Sequence, residues 1–149
     1  MTLHTASEII SLARNLEKAS AKFYADIAST NQRDNGTFID FSRANIKNIK
    51  QIERSYYGAA SDAMESTFAF NIEEKDYDLA SGVSGTDYAE ILNRSIKIEK
   101  QIARFYEDAA GQSQSLVGDV PRVFRLMVKG REERIEKLES LLKSAVEAR

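Results

Sequence analysis

The chain has 149 residues, 42% hydrophobic and 30% charged, which suits one domain able to bury its own core. A net charge of −2 supplies no global field to recruit nucleic acid or anionic membrane, and the lack of cysteine excludes disulfides, thiolate metal sites and iron–sulfur centres. One proline and seven glycines favour long helices over short strands, while neither a secretory leader nor an apolar run of roughly 18 residues is evident, so a cytoplasmic all-α protein is expected.

The first helix is announced by Thr5 and Glu8, spaced as a capping box in which hydroxyl and carboxylate satisfy free backbone N–H groups reciprocally. Its apolar seam runs through Ile9, Ala13, Leu16, Ser20, Phe23/Tyr24 and Ile27 at spacings of three and four, ending near Thr30. His4, the only histidine, precedes this cap and is expected as an exposed residue at one end. A second helix opens after Asn35-Gly36, with Thr37 as the expected cap and a seam of Phe38, Phe41, Asn45, Asn48/Ile49, Ile52 and Tyr56. Its opposite side carries Arg43, Lys47, Lys50 and Arg54, expected as a solvated face.

A long stretch follows, AASDAMESTFAFNIEEKDYDLASGVSG, with no clear period. Its Phe68, Phe70 and Tyr77 are expected to plug a groove of the helical core; the other reading joins them to Tyr56 and Tyr57 in a dimer contact. The third helix opens at Asp87 with Glu90 and runs through Ile91/Leu92, Ser95, Ile98, Ile102, Phe105/Tyr106 and Ala109, ending near Gly111. The fourth opens at Asp119, tolerates Pro121 in its first turn, and continues through Phe124, Met127/Val128, Arg131, Arg134/Ile135, Leu138 and Leu141/Leu142.

The chain repeats itself. EKASAKFY at 17–24 returns as EKQIARFY at 99–106, and the second and fourth helices rhyme through Phe38 with Phe124, Asn45 with Arg131, Asn48 with Arg134 and Ile52 with Leu138. Two duplicated helical hairpins are therefore expected. Helices of about 22 residues are roughly 33 Å long, and a connection that returns over such a length needs at least about ten residues. The short–long–short pattern of connections thus predicts one long crossover rather than a simple up-down-up-down bundle.

With a Glu six residues before each Phe-Tyr pair, the sequence resembles the rubrerythrin branch of the ferritin-like superfamily. The resemblance implies that residues 1–149 form a single ferritin-like four-helix bundle. It also implies a di-iron centre held by one Glu from each of the first and third helices and two Glu-x-x-His pairs from the others, a centre that reduces peroxide or oxidises ferrous iron. Position by position, Glu17 and Glu99 match the first pair. Asn45 and Arg131 stand at the other two Glu positions, and Asn48 and Arg134 at the two His positions. Four of the six implied ligands are replaced.

Asparagine is a poor iron ligand, and a protonated guanidinium is none. Glu53, Glu132, Glu133 and Glu136 fall on helix flanks and do not substitute. Two inward glutamates and two inward arginines cancel in charge, so Arg131 and Arg134 are expected to fill the space and electrostatic role of the metals, assisted by Asn45, Asn48 and the Tyr24 or Tyr106 hydroxyl. The expected protein is a structural or binding module with no catalytic residues and no cofactor, forming a homodimer and binding neither nucleic acid nor membrane. Two other readings stay open: an oxidoreductase using iron on Glu17 and Glu99, and a small-anion receptor built on the arginines.

Overall fold

The computed structural model describes residues 1–59, 69–79, 87–114, 116 and 119–148. Four long helices dominate it: α1 (Ala6–Thr30), α2 (Asn35–Ala59), α3 (Tyr88–Gln112) and α4 (Val120–Glu147). No described helix is long and apolar enough to cross a membrane. The architecture is an all-α four-helix bundle.

Local chemistry explains the helix starts. Thr5 accepts from the Glu8 N–H at 3.2 Å while Glu8 accepts from the Thr5 N–H at 3.0 Å, which completes the capping box of α1. At α3 the Asp87 carboxylate accepts from the Glu90 N–H at 2.9 Å. Thr37 does not cap α2. The helix begins two residues earlier, because Asp34 adopts φ 55° and its carbonyl takes the Thr37 N–H at 3.0 Å. Aspartate is among the few residues that visit this left-handed region readily, so the turn closes there and Asn35-Gly36 enter the first turn.

Helix directions follow from bonds at the two ends. Two short strands, β1 (Thr2–Leu3) and β2 (Ile72–Glu73), pair antiparallel beside the start of α1, and Gln112 at the end of α3 accepts from the Asn71 N–H at 2.7 Å. The start of α1, the end of α3 and residue 71 therefore share one end of the bundle. At the other end, Tyr88 at the start of α3 donates to Asp34 at 2.5 Å, just before α2. So α1 and α3 run antiparallel while α2 and α3 run parallel, a geometry that requires the chain to travel back over the bundle between them. The described part of that crossover does so. From β2 it passes through a 3-10 turn (Glu74–Tyr77) whose Tyr77 hydroxyl donates to Asp108, and then reaches Gln101, which donates to the Asp76 carbonyl at 3.1 Å.

The strands were not foreseen, since a two-residue ladder leaves no period in a sequence. His4 also differs from expectation. It is half-buried, and the Phe70 carbonyl lies 3.0 Å from its Nδ1, so it helps to fasten the crossover. Phe70 and Tyr77 are buried against the bundle, as the plug reading expects, and Tyr56 is buried too; among the described members of that aromatic set only Tyr57 stands clear, at 64% exposure. Phe68 lies outside the described residues.

Tyr77 thus anchors the crossover both by its ring and by its hydroxyl. Tyr77→Phe should cost about 1 kcal/mol, and Tyr77→Ala about 3–5 kcal/mol, in urea unfolding monitored by circular dichroism.

Candidate functional site

Each helix turns one polar stripe inward at mid-height. Helical spacing places Glu17, Ser20 and Tyr24 on one face of α1, Asn45 and Asn48 on α2, Glu99 and Tyr106 on α3, and Arg131 and Arg134 on α4. Glu17, Asn45 and Glu99 are fully buried, Arg131 is 1% exposed and Arg134 7%; Asn48 is half-buried.

Arg131 joins them. Its Nη1 donates to both Glu99 oxygens at 2.8 and 3.0 Å and to Ser20 Oγ at 3.3 Å. Its Nη2 donates to a Glu17 oxygen and to Asn45 Oδ1 at 3.2 Å. One guanidinium therefore touches groups on the other three helices, as its planar fork of five donors allows. Arg134 adds a second cation: Nη1 lies 3.3 Å from Glu99 Oε1, and Nη2 donates to the Phe41 carbonyl at 2.9 Å. Its guanidinium also stands over the Phe41 ring at 4.9 Å, a cation–π contact in desolvated surroundings.

The remaining valences are filled by neutral groups. Tyr24 donates to Glu99 Oε1 at 2.6 Å, Asn48 Nδ2 to Glu17 Oε1 at 2.7 Å, and Asn45 Nδ2 to Ser20 Oγ at 3.0 Å. The repeat is not reproduced in the bonding. Tyr106, the twin of Tyr24, has its hydroxyl buried with no hydrogen-bond partner, the one such side-chain atom found among the described residues.

Burial dominates the electrostatics. It pushes the Glu99 carboxyl up, against the opposing pull of Arg134 and the Tyr24 hydroxyl, and it pushes the Tyr24 and Tyr106 phenols well up. It lowers Arg131, as does the adjacent Arg134 cation. With two carboxylates in direct contact, the Arg131 guanidinium stays charged.

All six residues singled out from the sequence converge here. Sequence reasoning missed two participants, Ser20 and the Phe41 carbonyl. Ser20 had a signal: a hydroxyl sits on the α1 seam where the repeat places Ile102. Glu53 is engaged by Arg14 at 2.7 Å, and Glu132, Glu133 and Glu136 are exposed, so none reaches the centre.

A di-iron centre does not fit these residues. Among the described residues no cluster of three or more His, Cys, Asp or Glu side chains could hold a metal ion, and the two central carboxylates are engaged by guanidinium, phenol and amide donors. A small anion would have to compete with those same carboxylates for the arginine donors. Comparison with protein-family models, curated proteins and solved structures returns no match. The likeness to rubrerythrin-type proteins rests on the residue pattern alone.

Removing one member of a buried ion-paired set strands the others. Arg131→Ala should therefore cost about 3–5 kcal/mol in denaturant unfolding. The two tyrosines should diverge: Tyr24→Phe should cost about 1.5–3 kcal/mol, for a hydrogen bond to a charged group, whereas Tyr106→Phe should be neutral or stabilising because it removes an unpaired buried hydroxyl. Parallel melting curves of the two variants check this.

Proposed function

We propose that this chain is a ferritin-like protein of the rubrerythrin type in which an ion-paired polar core has taken the place of a di-iron centre, and that it serves in the cytoplasm as a structural or binding module rather than as a catalyst. One observation carries the reading: Arg131 donates to both Glu17 and Glu99, the two positions that match the resemblance's carboxylate ligands. Two guanidinium groups bring a charge of +2, which balances Glu17 and Glu99, where a ferrous pair would bring +4. Unlike a metal, they offer no open coordination position at which peroxide or dioxygen could react.

The alternative, an oxidoreductase with iron on Glu17 and Glu99, would require both carboxylates to release Arg131 and would leave the iron with two protein ligands in place of six. Pairing with a second copy belongs to the proposal as well; Phe70 and Tyr77 are buried within the chain, so neither ring projects into a partner.

Anaerobic titration with ferrous iron, followed by air, tests the reading. The expected result is little bound metal by elemental analysis and no near-ultraviolet oxo-bridge absorption; two irons per chain with that absorption would overturn it. The quadruple variant Asn45→Glu/Asn48→His/Arg131→Glu/Arg134→His should gain iron binding, and a folded variant that stays iron-free would refute the residue correspondence.

A further inference from the structure

The outer side of α2 carries an unusual row. Arg43, Lys47, Lys50 and Arg54, spaced i, i+4, i+7 and i+11, are all exposed and form no ion pair among the described residues. They cover about 16 Å of helix. Ile46 and Tyr57, 46% and 64% exposed, lie on this side within about 20° of each other around the axis. Cations thus flank two apolar knobs.

The other flank of α1 is its complement. A groove of about 550 Å³ runs between α1 and the crossover, lined by Leu12, Leu16 and Ala19 on one wall and by Tyr77 and Leu79 on the other. Glu74 and Asp78 stand on its rim. Past Leu12 it continues into a hollow of about 190 Å³ bounded by Met1, Leu3, Ser7 and Ser11. The run 74–78, exposed except for Tyr77, holds three acids to one lysine.

Heights along the bundle match. The contacts Ala21–Ser42, Ser20–Asn45, Glu17–Asn48 and Arg14–Glu53 fix the antiparallel register of α1 and α2. By that register Ile46 is level with Ala19, Lys47 and Lys50 with Asn15 to Lys18, Arg54 with Ser11, and Tyr57 with Glu8. The groove and its hollow span these same α1 levels, from Ser7 to Ala19.

We propose that a second copy of this chain docks on the outer face of α1, with the two-fold axis parallel to the helices. That axis exchanges the two flanks of α1 while preserving height. It seats Ile46 and Tyr57 of each copy in the groove of the other, and sets Lys47, Lys50 and Arg54 against Glu74 and Asp78. An axis perpendicular to the helices would instead lay cations on cations and acids on acids. The contact is isologous and closes at two copies. A long polyanion on the α2 row would meet the acidic rim across the same helix, whereas a second copy makes that rim half of the contact. The contact rests on the pairing proposed above and is independent of what the buried polar core does.

Sedimentation equilibrium of the full chain and two charge-reversed variants tests it. The wild-type chain should dimerise, more weakly as salt rises. Lys50→Glu/Arg54→Glu and Glu74→Lys/Asp78→Lys should each weaken self-association at least about tenfold. Mixed together, the two variants should pair with each other, because the reversed charges at 50 and 54 then face the reversed charges at 74 and 78, and the second contact is that of the wild type. Three results would overturn the proposal: a wild-type monomer at all concentrations, variants that dimerise as well as wild type, or a mixture that fails to pair while circular dichroism shows both variants folded. A monomer retained on a phosphate polyanion through the same lysines would assign the row to nucleic acid and also overturn it.

Discussion

One guanidinium, that of Arg131, stands between two carboxylates at the centre of this bundle, and the placement of the surrounding side chains follows from it. Glu17 and Glu99 are each fully buried, a state that a lone carboxylate reaches only by neutralising itself or by finding a cation. Arg131 reaches both, and in doing so ties α1 and α2 of the first hairpin to α3 of the second. The arrangement gives no large net stability, since desolvating the ions offsets most of their attraction. What it gives is intolerance: any shift in helix register that moves one partner leaves another charge stranded. A hydrophobic seam alone accepts such slippage far more readily.

The sequence repeat is close to two-fold, but the polar centre is not. The first hairpin contributes amides from α2 where the second contributes guanidinium groups from α4. The cations therefore reach across from one side. Glu99 is held by Arg131, Arg134 and Tyr24, whereas Glu17 is held by Arg131 and Asn48. Ser20 belongs to the same asymmetry, accepting from both Asn45 and Arg131 where the twin helix has the apolar Ile102. The unpaired Tyr106 hydroxyl is the residue of this imbalance, a group kept in register with Tyr24 whose own side of the core supplies no acceptor.

Most of the bundle was legible because its signals are local. Caps at Thr5 and Asp87 and seams at spacings of three and four are written in adjacent residues, and the length of the crossover chose the helix directions without any knowledge of contacts. The six central residues were legible for a different reason: polar side chains at seam positions of a duplicated pattern must face inward wherever their twins do. What escaped depends on backbone shape or on distant partners. The start of α2 is set by the left-handed turn at Asp34 rather than by the side chain of Thr37, and either reading fits the letters. The β1–β2 ladder and the His4 contact join residues about seventy positions apart, for which a single sequence carries no local trace. The role of the Phe41 carbonyl was hidden because a main-chain acceptor has no letter at all.

The longest of these links has a bearing on how the chain acquires its structure. Arg131 and Glu17 are 114 positions apart, so the bond between them exists only once the chain has been made through the fourth helix. Until then the first hairpin, having only Asn48 to offer Glu17, would have to bury an anion without a counter-ion. The first hairpin is thus not a self-sufficient folding unit, however alike the two halves look. Emergence of the fourth helix is the event that lets the first one close.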